Sequence, residues 1–191
     1  MRTVLEIPHS VYKITVFVWN EKYLIETHSF FYEKILKKLN LYKLRSKVHI
    51  NEVNNLHSYS IFGDIQKDLD TFIFNSDPRN KNIGLKLIHL KKNPEILDSL
   101  NEINEEKYHQ ILIQNTVPLS HYDLKENKSL LLENNFENLN SISWDKGCYV
   151  GQEITARMKY RALLKKKIYS LEIKGGSPLI GQVIKDDENE F

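Results

Sequence analysis

The sequence predicts an α+β protein, because segments with the periodicities of strands and of helices are interleaved along the chain. In residues 13–19, the side chains of Ile14, Val16 and Val18 alternate with those of their neighbours, which is the period of two of a strand. Residues 84–90 predict a further strand. Residues 29–40 and 104–115 instead repeat apolar side chains at three- and four-residue steps, as amphipathic helices do. With 41% apolar and 27% charged side chains among 191 residues, the composition is that of a globular chain with a buried core.

The first part of the chain is predicted to contain a hairpin, a helix and further strands. Residues 13–19 turn back into residues 23–26 as a β-hairpin. Ser29 is the expected N-cap of the helix that follows, because its hydroxyl can accept a hydrogen bond from a free backbone N–H. Apolar side chains in residues 48–53 indicate a second strand region, and residues 59–62 indicate another strand.

The second part is predicted to contain a tight turn, a packed helix and two final strands. The D-P-R sequence at residues 77–79 predicts a turn, because proline fixes its own φ and restricts the residue before it. The helix over residues 104–115 is expected to point several apolar side chains inward, Ile103 among them. Residues 167–173 and 182–184 are predicted strands.

Residues 146–161 concentrate the chemistry of the chain. They contain its only cysteine, Cys148, and two of its seven glycines, Gly147 and Gly151, which predict a bend that displays the thiol. Residues 146–167 hold seven Lys or Arg but only one acid. A positive field of this kind favours thiolate over thiol and attracts anionic ligands.

Simpler interpretations of the same residues stay open. A lone cysteine is often a small buried hydrophobe, and residues 152–159 could be a surface helix that packs Ile154 and Met158 inward. The start of that helix could still bind an anion through its free N–H groups. The run of lysines at residues 165–167 is interpreted as solvated charge beside a strand and receives no role in a site.

The sequence K-G-C-Y-V-G-Q-E at residues 146–153, which continues to Ala156-Arg157, resembles the K-G-C-Y-x-G-Q-E signature of the folate-binding YgfZ proteins, relatives of the glycine-cleavage T-protein. Residues 41–48 and the D-P-R turn also match the family pattern. The resemblance covers roughly residues 10–185 and implies a T-protein-like folate-binding fold with ferredoxin-like α/β parts. Relative to that pattern the chain is expected to be shortened at both ends, with an incomplete C-terminal β-barrel.

The resemblance also implies three regions. Residues 1–116 would form an α+β folate-binding core that is shortened at its N-terminus. Residues 117–165 would carry the signature, and residues 166–191 would be the incomplete β-barrel.

By the same resemblance, the chain is expected to bind tetrahydrofolate and to support iron–sulfur cluster assembly or repair and, indirectly, tRNA modification. Its expected partners are folate and iron–sulfur enzymes or assembly proteins. Cys148 is the candidate functional thiol, and the candidate folate-binding residues are Lys146, Gly147, Tyr149, Gly151, Gln152, Glu153 and Arg157. An accessory protein is expected rather than a conventional enzyme. The alternatives are an aminomethyltransferase-like one-carbon enzyme and a shortened, decayed family member with little activity.

Several other classes of protein are not favoured. A net charge of +2 does not suggest direct nucleic-acid binding, and seven scattered histidines without paired spacing predict no metal site. One cysteine cannot form an internal disulfide. No apolar run approaches the ~20 residues of a membrane span, and the N-terminus does not resemble a secretory signal. The sequence therefore predicts a cytoplasmic protein, and the resemblance to the YgfZ family implies a bacterial one.

Overall fold

The computed structural model of the protein describes residues 14–19, 21–63, 73–126, 128–147, 152–161 and 164–184. The strands in this part of the chain are β1 (Ile14–Trp19), β2 (Lys22–Thr27), β3 (His57–Ile61), β4 (Ile73–Ser76) and β5 (Leu85–His89). The helices are α1 (Tyr32–Tyr42), α2 (Glu105–Gln114), α3 (Ser120–Asp123) and α4 (Gln152–Tyr160). The mixture of helices with small antiparallel sheets confirms the predicted α+β class.

The predicted hairpin is confirmed as β1 and β2, which pair antiparallel from Ile14 opposite Thr27 to Trp19 opposite Lys22. The two faces of the hairpin pack on different neighbours, as the period of two requires. Ile14 packs against α1, whereas Phe17 packs against Ile88 of β5. The hairpin therefore lies between α1 and the second sheet.

The helix predicted after the hairpin is present, but its predicted cap is wrong. The Nδ1 of His28, not the hydroxyl of Ser29, accepts the hydrogen bond from the N–H of Phe30 at 3.1 Å. This bond opens a 3-10 turn at Ser29–Phe31, and α1 continues directly from it. The imidazole takes the capping role because it stands one residue earlier and reaches the first free N–H.

The second sheet has the order β3-β5-β4, and all neighbours are antiparallel. In its central strand β5, residues 87–89 are buried, and Leu87 is fully enclosed. Glu26 of β2 links the hairpin to this sheet, because its carboxylate accepts from the Ser58 hydroxyl at 2.5 Å and lies 2.8 Å from the Lys86 ammonium. The strands predicted near residues 59–62 and 84–90 are thus confirmed.

The strand region predicted at residues 48–53 is wrong. The chain after α1 turns at Leu44, which has φ +47°, and then makes only local hydrogen bonds such as the one from the N–H of Val48 to the carbonyl of Ser46 at 2.8 Å. Residues 46–56 pair with no described strand, and Val48 and Val53 are exposed. Apolar side chains alone do not make a strand, because strand preference depends on packing against cross-strand neighbours.

Helix α2 is confirmed and encloses the central core. The Oδ1 of Asn104 accepts the N–H of Lys107 at 2.8 Å and caps the helix. Leu112 joins the buried cluster that is completed by Ile83, Val117 and Leu139. Ile103, which was expected to point inward, is exposed because it precedes the cap and lies outside the helix.

The strands predicted at residues 167–173 and 182–184 are also wrong. Residues 164–184 contain no strand and are largely exposed, although the N–H of Ile168 donates to the carbonyl of Glu133 at 2.8 Å. Within the described residues no barrel closes, so the T-protein-like arrangement is not confirmed and the three regions stay a prediction. None of the described helices is long and apolar enough to cross a lipid bilayer.

Candidate functional site

The structure describes five of the eight predicted site residues. Lys146 and Gly147 lie exposed in a bend before the signature cysteine. Gln152, Glu153 and Arg157 lie on α4, which begins directly after the signature loop. The other three, Cys148, Tyr149 and Gly151, lie outside the described residues, so their predicted roles stay predictions.

Helix α4 packs on the protein through a different face from the one predicted. Met158 is buried as expected, but Ile154 is 50% exposed and Thr155 is buried instead. Thr155 and Met158 are three residues apart and therefore share one face of the helix. Glu153 and Arg157 lie on the exposed part of the surface, as predicted.

Glu153 and Arg157 form an ion pair one helical turn apart, with their charged atoms 2.5 Å apart. Both side chains are more than half exposed, so the pair contributes only ~0.3–0.5 kcal/mol to stability. The carboxylate also lies in the first turn of α4, where the helix dipole favours a negative charge. Glu153 thus orients the Arg157 guanidinium without enclosing it.

A cluster of four side chains, here called the Glu137 cluster, joins the residues before the signature to the helix after it. Glu137 is its centre: its Oε1 accepts from the indole N–H of Trp144 at 3.0 Å and from the ammonium of Lys159 at 2.5 Å. The Lys159 ammonium lies 5.6 Å from the centre of the Trp144 ring, and Tyr160 meets that ring edge-on at 5.9 Å. The two ends of the signature are therefore held together.

The sequence did not reveal the Glu137 cluster. Glu137 lies 7 residues before Trp144 and 22 residues before Lys159, so no local periodicity connects the three side chains. The only signal was the indole beside the signature, because a tryptophan near the surface needs a hydrogen-bond acceptor.

The D-P-R turn holds a largely buried ion pair, and the predicted turn is confirmed. The Arg79 guanidinium donates to both oxygens of Asp77 at 2.9 and 2.8 Å, while the Arg79 N–H donates to the same carboxylate at 2.9 Å. Burial alone lowers the pKa of Arg79, but its hydrogen bonds to Asp77 and the charge of that carboxylate outweigh this effect, so the pKa is raised above its ordinary value. Arg79 is therefore a permanent cation with a structural partner.

Among the residues that the structure describes, no group of three or more His, Cys, Asp or Glu side chains is arranged to hold a metal ion. The chemistry of the described site is instead that of ammonium, guanidinium, carboxylate and amide groups around α4. The ammonium and guanidinium groups can bind anions, and all four kinds of group make hydrogen bonds.

The fold and the signature together define an α+β chain with a glycine-flanked cysteine placed before a short surface helix. No family model matches the chain. Comparison with curated proteins finds the mitochondrial iron-sulfur cluster assembly factor IBA57 of Mus musculus, 27% identical over 169 residues that make up 83% of this chain and 47% of that protein. The same factor of Homo sapiens is 27% identical over 83% of this chain and 48% of its own length.

A bacterial relative is the tRNA-modifying protein YgfZ of Buchnera aphidicola subsp. Schizaphis graminum, which is 28% identical over 81% of this chain and 56% of its own length. The predicted resemblance is confirmed: the chain is similar over most of its length to proteins named IBA57 and YgfZ. It spans about half the length of the curated relatives that it matches.

The comparisons correct the predicted localisation. The relatives in Mus musculus, Dictyostelium discoideum and Homo sapiens are mitochondrial proteins of eukaryotes. The prediction of a bacterial cytoplasmic protein is therefore wrong.

Proposed function

We propose that this chain is an accessory protein for the assembly or repair of iron–sulfur proteins, and that it binds tetrahydrofolate at the signature with Cys148 as its functional thiol. The observation that carries the proposal is the K-G-C-Y-V-G-Q-E signature in a chain whose relatives are named iron-sulfur cluster assembly factors. The partners would be iron–sulfur enzymes or assembly proteins, and the cluster would be cargo. The name of the bacterial relative supports an indirect role in tRNA modification.

The described residues fit the anionic part of a folate. The space that a Cβ on Gly147 would occupy is open, so a ligand can approach the backbone there. Lys146 is exposed beside it, and Gln152 opens the N-terminal turn of α4. Together they offer an ammonium, an amide and helix N–H groups, which suit a carboxylate ligand.

Each residue then has a defined task in the proposed site. Lys146 and Arg157 would bind the carboxylates of the glutamate tail, and Glu153 would hold Arg157 in position. Gln152 would hydrogen-bond the ring or its linker. Tetrahydrofolate, when bound, would supply a reduced pterin and nitrogen atoms that carry one-carbon units.

Cys148 would act as a thiolate. The cations nearest to it in the sequence, Lys146 and Arg157, favour the negative form of the sulfur. A thiolate is the form that bonds to iron or attacks an electrophile. The Glu137 cluster would keep the two ends of the thiol-bearing loop together while a partner protein is engaged.

Titration of tetrahydrofolate into the purified chain tests the proposal. We expect saturable binding, at least tenfold weaker in Lys146→Glu and Arg157→Glu because each reversal replaces attraction by repulsion, and a tenfold loss corresponds to ~1.4 kcal/mol. Lys92→Glu is the matched control, since this exposed lysine lies in the loop after β5 and changes the net charge equally. It should bind as the wild type does.

Two outcomes would contradict parts of the proposal. Absence of saturable binding by the wild type at millimolar ligand would exclude a folate site in this chain. Binding that neither reversal weakens would mean that the site lies elsewhere. Formation of methylenetetrahydrofolate from an aminomethyl donor would instead favour the one-carbon transferase alternative.

A further inference from the structure

A groove lined by lysines lies away from the signature, between the loop after α3 and the segment that follows α4. We call it the lysine groove. Its volume is about 440 Å³, which is in the range of small-molecule sites. Its lining residues are Asp123, Lys125, Lys128, Ser129, Glu133, Asn134, Lys166, Lys167 and Ile168. None of them belongs to the predicted folate site.

Hydrogen bonds hold both walls of the groove. The N–H of Ile168 donates to the carbonyl of Glu133 at 2.8 Å and fixes one wall against the other. In the opposite loop, Ser129 closes a small ring with Lys125: its Oγ accepts the N–H of Lys125 at 2.8 Å, and its own N–H donates to the Lys125 carbonyl at 3.0 Å. One hydrogen bond therefore connects the two walls, and the others order the loop that carries Lys125 and Ser129.

The charges in the groove are not balanced. Four lysines line it against two carboxylates. One carboxylate, Asp123, already accepts the N–H of Leu119 at 2.6 Å. Within the part of the chain that the structure describes, none of the four lysines has an ion-pair partner. Four lysines along one groove raise the local positive potential and attract an anion.

The kinds of cation indicate the kind of anion. All four are lysines, which act as point charges, whereas planar carboxylates are best recognised by the guanidinium fork of arginine. The hydroxyl of Ser129 accepts a hydrogen bond and so keeps its own hydrogen for donation. Several ammonium groups and one hydroxyl suit a compact anion with many oxygens.

We propose that the lysine groove binds a small phosphate-bearing anion with two or more negative charges. Lys125 and Lys128 would bind it from one wall, and Lys166 and Lys167 from the other. The signature helix α4 lies in the chain between these walls, so a bound anion would bridge segments on both sides of it. The site is independent of the proposed folate site.

Calorimetric titration with pyrophosphate at low ionic strength tests the proposal. We expect saturable binding that becomes about tenfold weaker in each of two double variants, K125A/K128A and K166A/K167A, because each removes two charge contacts from one wall. The control is K91A/K92A, which removes the same charge from an exposed loop outside the groove. It should change the affinity by less than about twofold.

Competition with citrate separates phosphate recognition from general charge attraction. Citrate has a comparable charge that is carried only by carboxylates, and we expect it to bind at least about tenfold more weakly than pyrophosphate. Equal affinity for the two anions would overturn the phosphate assignment. Absence of pyrophosphate binding, or an equal loss in K91A/K92A, would overturn the site itself. Circular dichroism checks that the variants are folded, and absence of binding by the wild type would overturn the proposal whatever the variants do.

Discussion

Cys148 is the only thiol in the chain, so a thiol reagent reports on the signature alone. We predict that its apparent pKa is below the ordinary value of about 8.5, because Lys146 and Arg157 lie close in sequence and favour the thiolate. The rate of alkylation by iodoacetamide, measured against pH, gives this pKa directly. Lys146→Met should raise it.

The same chain unfolded in urea is the control for this measurement. Unfolding disperses the basic residues and should return the thiol to its ordinary pKa. If the alkylation profiles of the folded and unfolded chains coincide, Cys148 is not tuned by its surroundings, and the simpler interpretation of a packing cysteine gains support. Cys148→Ser should leave the unfolding free energy within about 1 kcal/mol of the wild type, since the two side chains are similar in size.

At the level of elements, Glu137 is the residue through which α4 is held against the segment before the signature. We predict that Glu137→Ala lowers the free energy of unfolding by ~1–2 kcal/mol, because it leaves the indole N–H of Trp144 without its acceptor and removes the partner of Lys159. Glu137→Gln should lose less, since its amide oxygen can still accept from the indole. Urea unfolding followed by circular dichroism gives these values.

Glu126→Ala provides a matched carboxylate control. Glu126 pairs with Lys34 at 3.8 Å on an exposed surface, and we expect its loss to cost less than ~0.5 kcal/mol. Tryptophan fluorescence gives a second measure, because Trp144 should become more exposed in Glu137→Ala and shift its emission to longer wavelength. Unchanged stability and emission in that variant would show that the Glu137 cluster does not hold α4.

Helices and hairpins that follow from a pattern within a few residues were predictable from the sequence. Strands that must pair with a segment far away in the sequence were not. The hairpin, α1 and α2 follow from periodicity within a few residues, and the structure confirms them. Residues 48–53 and 167–173 have suitable apolar side chains, but they remain outside the sheets because a strand also requires a neighbour. The sequence contains no local indication of which edges are available.

The same distinction between local and long-range features applies to the candidate site. The signature was recognisable because its glycines, cysteine and charged residues are contiguous. Glu137 and the lysine groove were not, since their contacts join residues that lie far apart in the sequence. In the sequence alone, Lys166 and Lys167 are typical of solvated charge. Only the structure shows that they line one groove with the loop that contains Lys125 and Lys128.

At the level of the whole molecule, the D-P-R turn is where three parts of the chain meet. The N–H of Asp77 donates to the carbonyl of Gly84 at 2.9 Å, beside the second sheet. Arg79 reaches the hydroxyl of Tyr108 on α2 at 3.4 Å. The side-chain amide of Asn140 donates to the carbonyl of Pro78 at 3.2 Å and connects the segment that leads to the signature. The turn thus joins the sheet, α2 and the approach to the site, and its ion pair makes the contact with α2.

We predict that Arg79→Met lowers the free energy of unfolding by ~3–5 kcal/mol, because it leaves the Asp77 carboxylate, only 4% exposed, without its charge partner. The double variant Asp77→Asn with Arg79→Met should recover part of that loss, since no uncompensated charge then remains buried. Lys34→Met is the control: it removes one cation from an exposed pair and should cost less than ~0.5 kcal/mol. Urea unfolding at neutral pH gives all three values. If Arg79→Met costs no more than Lys34→Met, the buried ion pair does not stabilise the turn where the three parts of the molecule meet.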